Sequence, residues 1–199
     1  MSTALSWGPL ELHRNPPAAL CEAAEGGVAT SAATRHSLRL LVAADVGRYG
    51  LMIAHTFRRA VTDGAPLPVV AELLDDAVTR VSMSNVCATL VDVGPHGFEV
   101  LHRGGPSPVV VHPDGTLTRV VPSMPGPPLG PRASISGGTS GEIIPAGIGD
   151  VLLVTTPGSV ESAMHALAAA PTPAVADLWT SLHDLGPAEA GSAYALLTP

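Results

Sequence analysis

The sequence predicts an α+β protein, a four-layer αββα sandwich of two antiparallel sheets flanked by helix pairs. Three observations predict it. Strand-period segments between 86 and 121 are joined by turns short enough for hairpins. Two helix-period pairs lie apart in the chain, one before those hairpins and one after them. Apolar residues make up 46% of the 199 positions and charged residues 14%. A chain of that length and balance forms one core that buries about 70% of its unfolded surface, so a single domain over 1–199 is expected.

The elements follow in order. Leu10-Glu11-Leu12-His13 reads as a short edge strand, Gly26-Gly27 as a turn, and Val28–Ala33 as a strand of small residues. Ser37–Ala44 is an apolar run bounded by polar residues, the mark of a buried strand ending at Asp45. After a loop to Gly50, apolar residues at 51, 54, 57 and 61 give Leu51–Val61 a helix face, stopped by Asp63-Gly64. Pro66 and Pro68 open a second helix with Val70, Leu73, Leu74, Ala77, Val78 and Val81 on one side. The period then changes. Val86–Val91, Phe98–His102, Val109–His112 and Thr116–Val121 read as strands of one meander, with turns at 94–97 and 112–115. Five prolines in Pro122–Pro131 make a surface loop or sheet-edge crossing, and Ser136–Gly141 makes a second loop. Val151–Thr155 is a strongly apolar strand, helices are expected over 159–170 and 174–185 with Gly186 as a stop, and Ala193–Leu197 closes the fold. Helices 51–61 and 66–81 should cover one sheet, 159–170 and 174–185 the other.

Composition excludes several classes of function. Ten basic against seventeen acidic residues leave a net charge of −7, opposite to the basic face a nucleic-acid partner requires. All ten basic residues are arginine, which removes Schiff-base and P-loop lysine chemistry. Cys21 and Cys87 are too few for a disulfide framework and lack metal spacing, so both read as small buried residues. Glu11, His13, Arg14 and Pro16-Pro17 interrupt any leader-like start, and no apolar run approaches the roughly 20 residues of a membrane span. The cytoplasm is the expected compartment, with no membrane partner.

Single residues and short runs read mostly as structural. His96, His102 and His112 fall in the meander without an H-x-H or H-x₃-H pair, so no histidine metal site is expected. Asp75-Asp76 reads as a solvated helix face, and Ser136–Gly141 lacks the lysine of a phosphate loop. Ser159 reads as a helix cap, with no histidine placed to make it a nucleophile.

The order of motifs carries more information than any one of them. Glu99–Gly115 (EVLHRGGPSPVVVHPDG) resembles a segment of the form YANAGHPPPLLLRPDG, Pro127-Pro128-Leu129-Gly130 resembles PPLG, and Gly149–Gly158 (GDVLLVTTPG) resembles GDLLLLYTDG. Upstream, Leu41–Gly50 (LVAADVGRYG) resembles LVIGDVSGHG and leads into a helix, while Val86–Val91 fits the strand before the hairpin. In this order, from about residue 20 to the C-terminus, the motifs resemble those of the stage II sporulation E-type phosphatases. Those belong to the metal-dependent protein phosphatase (PPM) superfamily, and the short chain is most similar to the stand-alone sigma-B regulator X group.

The resemblance implies an αββα sandwich whose strand ends hold two Mn²⁺ or Mg²⁺ ions, which ionise a water for attack on a phosphoserine or phosphothreonine. Hard divalent cations need several carboxylates there. Carried over residue by residue, the GGD turn falls on Gly26-Gly27-Val28, with valine for aspartate. GDVSGHG falls on Ala44–Gly50, keeping Asp45, with the Val46 backbone carbonyl as a neighbouring ligand and Arg48 in place of the inner glycine. TDG falls on Thr156-Pro157-Gly158, and the near-terminal DDxT on Gly191-Ser192-Ala193-Tyr194. One of four carboxylates remains, and Asp45 is expected to pair with Arg48 or cap its loop. The resemblance thus implies a pseudophosphatase with no cofactor. Its regulatory partners would be an anti-anti-sigma-like domain, an anti-sigma kinase or another phosphatase. The alternative is an active Mn- or Mg-dependent phosphatase with replacement ligands. A third reading is a scaffold that forms a homodimer through its sheet face or Pro-rich loop.

Overall fold

The computed structural model describes residues 17–34, 37–83, 85–94, 97–121, 123, 126–130, 141–185 and 190–199. Its strands are β1 (Ala18–Ala23), β2 (Val28–Ala33), β3 (Leu38–Ala43), β4 (Ala88–Gly94), β5 (Gly97–Arg103) and β6 (Val109–Val111). They continue with β7 (Leu117–Arg119), β8 (Glu142–Ile144), β9 (Val151–Thr155) and β10 (Ala193–Thr198). The helices are α1 (Gly50–Thr62), α2 (Leu67–Arg80), α3 (Val160–Ala169) and α4 (Val175–Leu185). Every strand pair is antiparallel, in two five-stranded sheets ordered β1-β10-β9-β6-β7 and β2-β3-β4-β5-β8.

Alternation along the strands sorts side chains into three apolar layers. Leu40, Val42, Val91, Val93, Phe98 and Val100 of one sheet meet Val110, Leu152, Val154, Ala195 and Leu197 of the other. Leu41, Ala43, Leu90 and Leu101 point the opposite way, onto α1 and α2, where they pack with Ile53, Phe57, Val70 and Leu74. Val109, Leu153, Tyr194 and Leu196 pack on α3 and α4 through Ala163, Leu167, Leu178 and Leu182. The αββα order of layers and the helix pair on each outer side are those expected from the sequence.

Several elements differ from the sequence reading. The four middle strands are not one meander: β4–β5 lie in one sheet and β6–β7 in the other. Gly104-Gly105-Pro106-Ser107-Pro108 makes the crossing, since Gly104 takes φ +70° and two prolines withhold backbone donors from any ladder. On α1 the buried residues are Ile53, Phe57, Ala60 and Val61, while Leu51 is 87% exposed. On α2 Leu73 faces outward, 41% exposed. Strands β1 and β8 carry no strong strand signal, one being alanine-rich and the other three residues long. Asp75 is not on a solvated face. It is half-buried, 2.6 Å from the Arg103 guanidinium, and accepts the Gly130 N–H at 3.0 Å. The described part of the proline-rich loop is tied to the body, because Leu129 is buried and exchanges backbone hydrogen bonds with Val86 at 2.9 and 3.1 Å. Ser159 precedes α3 without a side-chain cap bond, and its hydroxyl has no partner among the described residues. The expected strand at 10–13, His96, Gly186 and Ser136–Ser140 lie outside the described residues. Among the described residues no helix is long and apolar enough to cross a membrane.

Candidate functional site

Three of the motif segments meet at one corner of the sandwich. β2 starts at Val28, directly after the turn at Gly26, and pairs there with Ala43, the last residue of β3. The chain leaving β3 therefore passes beside that turn, and the Gly26 carbonyl accepts the N–H groups of Val46 (2.8 Å) and Gly47 (3.2 Å). Gly191, just before β10, donates to the Glu25 carbonyl (2.7 Å) and accepts from the Asp45 N–H (3.0 Å). The Ser192 carbonyl accepts the Ala24 N–H at 2.9 Å. Glycine is required at two of these places. Gly191 takes φ +81°, in the left-handed region, and a Cβ on Gly27 would run into the Ser192 carbonyl oxygen.

Val28 is buried, with Cγ2 against Gly50 at the start of α1. Asp45 is exposed at φ 55°, a left-handed conformation that aspartate adopts more readily than most residues. Pro157 joins the corner one step away. Thr156 before it donates its N–H to the Ala193 carbonyl and accepts the Ala193 N–H through Oγ1, both at 2.9 Å, and Ala193 follows Ser192. Pro157 itself is exposed and opens the 3₁₀ turn that leads into α3.

Two expectations about Asp45 fail. Arg48 does not pair with it: the guanidinium donates to the Tyr49 hydroxyl at 2.8 Å and lies 4.9 Å from the centre of that ring. Nor does Asp45 cap the loop, since the turn and helix that follow have no side-chain cap bond. Arginine beside an aromatic face is held by the ring quadrupole as well as by the hydroxyl, which draws it off the carboxylate. The Val46 carbonyl accepts the Tyr49 N–H at 3.0 Å, so one lone pair of that expected ligand is taken. Asp45 still acts at a distance. Burial and then its negative charge push up the thiol of Cys87.

The donor set does not fit a pair of divalent cations. Such a pair places four positive charges in one small site and needs several carboxylates to offset them. Among the described residues no three His, Cys, Asp or Glu side chains are gathered anywhere. Among the described residues the acids at this corner are Asp45 and, in the neighbouring turn, Glu25. Sequence reading passed over Glu25, which matches no motif, and over Arg58, which lines the adjoining groove with it. His102 and His112, expected in one meander, are apart: His102 lies in β5 of one sheet and His112 directly follows β6 of the other. His112 lies 2.9 Å from both Asp150 and Thr118.

Comparison with known proteins agrees with this architecture. No match was found among curated protein sequences. Among solved structures, the chain is similar to the RsbU and RsbW domains of a Mycobacterium tuberculosis protein. The TM-score is 0.68 at 18% identity, over 92% of this chain and 61% of that one. It is similar to the PP2C phosphatase domain, with a fragment of the regulatory domain, of the cell fate determinant SpoIIE from Bacillus subtilis. There the TM-score is 0.67 at 13% identity, over 92% and 61%. It is also similar to RsbX in complex with magnesium, with TM-score 0.66 and 14% identity over 93% and 96%. The chain thus spans about three fifths of the first two structures, and at these identities the likeness is one of fold. The family model for stage II sporulation protein E matches residues 49–193, nearly three quarters of the sequence. The chain belongs to the stage II sporulation protein E (SpoIIE) family, with the PP2C-type sandwich fold.

Proposed function

We propose that this chain is a SpoIIE-type phosphatase domain that has lost two-cation hydrolysis and works as a pseudophosphatase. It would act in the cytoplasm, binding a regulatory protein of a partner-switching (anti-sigma and anti-anti-sigma) system. The observation that carries the reading is the corner itself. Where the resemblance calls for four aspartates, the chain has Val28, Asp45, Pro157 and the Gly191-Ser192 pair. Valine and proline side chains offer no lone pair, and a lone aspartate holds Mg²⁺ no better than an ordinary surface carboxylate does. The likeness to a protein carrying RsbU and RsbW domains, and to RsbX, supports a regulatory protein as the partner.

Glu25 gives the alternative its specific form: an active phosphatase in which Glu25 replaces a missing ligand beside Asp45. The two readings separate in one assay. Turnover of p-nitrophenyl phosphate and of a phosphoserine peptide is measured with Mn²⁺ and Mg²⁺ for the wild type, Asp45→Asn and Glu25→Gln. All three should give the rate of buffer alone. A Mn²⁺-stimulated rate that either substitution abolishes overturns the pseudophosphatase and establishes the active enzyme.

A further inference from the structure

Between the β1–β2 turn, strand β2 and the first three turns of α1 lies an open groove of about 460 Å³. Its walls include Glu25, Val28, Thr30, Arg48, Leu51 and Arg58. We propose that this groove docks an extended acidic segment of a protein partner, with two carboxylates about four residues apart and an apolar residue between them. The proposal rests on reading the domain as a protein-binding one, and it adds the place and the chemistry of the contact.

Charge is the first argument. Seven arginines lie among the described residues, and four of them, Arg39, Arg59, Arg80 and Arg103, pair with Asp92, Asp63, Asp76 and Asp75. Of the three without an ion pair among the described residues, Arg48 and Arg58 line this one groove, against a single acid, Glu25. A chain of net charge −7 thus carries a locally basic cleft. Both guanidiniums are already positioned. Arg58 Nε donates to Thr30 Oγ1 at 2.9 Å, and Arg48 is held on Tyr49. A guanidinium has five donors, so these contacts leave others for a carboxylate. Ordering them in advance lowers the entropy cost of binding.

Spacing is the second argument. Arg48, Leu51, Ala54 and Arg58 recur every three or four residues along one side of the helix start. Arg48 sits in the 3₁₀ turn Gly47–Tyr49 that leads into α1, and at 1.5 Å per residue the start of α1 and Arg58 are already roughly 12 Å apart along the axis. One anion does not bridge that distance, whereas an extended chain covers it in about four residues. Leu51, 87% exposed, lies between the two arginines in sequence and gives the segment an apolar contact. The facing wall supports an extended form, because β2 is the terminal strand of its sheet and, among the described residues, no strand pairs with its outer edge.

The test uses the full chain and fluorescein-labelled ten-residue peptides, read by anisotropy. One peptide carries two aspartates four apart around a valine, a second has the same composition with the aspartates adjacent, and a third carries one phosphoserine and no other acid. The spaced peptide should bind most tightly and weaken as salt rises. Arg48→Glu and Arg58→Glu should each weaken it about tenfold, and Leu51→Asp should weaken it too. Both arginines are exposed, so unchanged circular dichroism is expected and checks the fold of each variant. Binding equal to wild type in both charge reversals overturns the site. Tighter binding of the phosphoserine peptide, lost with one arginine alone, replaces the segment by a single anion. A dimer in sedimentation that Arg58→Glu dissolves assigns the groove to a second copy of the chain. Failure of any of these leaves the hydrolysis assay untouched, so the two claims fall separately.

Discussion

His102 is a single buried side chain that makes the stability of the fold depend on pH. It is 5% exposed on β5, opposite Thr89 of β4, and neither ring nitrogen has a partner among the described residues. Burial holds its pKa below the ordinary 6.5, against a smaller opposing pull from Glu142. The folded protein therefore keeps the ring neutral, while the unfolded chain takes up a proton near pH 6.5. The sign follows: His102 costs nothing in charge terms above that pH, and stability falls as pH drops from it toward the folded pKa. Replacing His102 with Leu should remove this loss. In urea unfolding from pH 8 to 5, the wild type should lose stability relative to His102→Leu at up to about 1.4 kcal/mol per pH unit below 6.5. A pH-independent difference would show that the folded ring takes up its proton as readily as the unfolded one. Cys21 follows the same logic. Its thiol is pushed up to about 11 by burial, which Arg58 only partly offsets, and that makes it a poor nucleophile at neutral pH.

At the scale of elements, two partly buried ion pairs fix how helices sit on the first sheet. Arg39 of β3 pairs in register with Asp92 of β4 at 2.6 Å and also donates to the Ala65 carbonyl between α1 and α2. Arg103, at the end of β5 and buried, joins Asp75 of α2 and donates to the Pro127 carbonyl at 2.8 Å. Asp75 also holds Gly130, so helix, strand end and proline-rich loop share one junction. Removing one partner of such a pair is worse than removing both, because the remaining charge stays buried. Asp75→Ala should cost about 3–5 kcal/mol in urea unfolding, and adding Arg103→Met should recover part of that. An Asp75→Ala cost under about 1 kcal/mol would mean that Arg103 finds water or another acceptor. The sequence showed Asp75 only as one of two acids on a helix, because its partner is 28 residues away and nothing local marks it. Strands and helices were legible where period and apolar density were strong, as in Val151–Thr155 and Leu67–Arg80. The sheet switch after β5 was not, since pairing across sheets is decided by packing and a Gly-Gly-Pro run fits either a turn or a crossing.

For the molecule as a whole, the corner at Asp45 was legible because motifs in fixed order name its residues whatever side chains they carry. Gly26–Val28, Asp45–Val46 and Gly191-Ser192 are joined there by backbone hydrogen bonds, which depend little on side-chain identity. The orientation of Arg48 was not legible. Adjacent Tyr49 competes with Asp45 for the guanidinium, and only the three-dimensional arrangement decides between them. The arginine groove escaped for a related reason, as its lining comes from a turn, a strand and a helix that no motif links. Across this scale the account rests on one claim, that the fold of a metal-dependent phosphatase is kept without the charge that holds two cations. Isothermal calorimetry of Mn²⁺ into the full chain, with Asp45→Asn beside it, tests that claim most directly. The account predicts no saturable heat at micromolar to submillimolar Mn²⁺ and identical traces for the two proteins. Two Mn²⁺ ions bound per chain in that range, with the heat lost in Asp45→Asn, would contradict it.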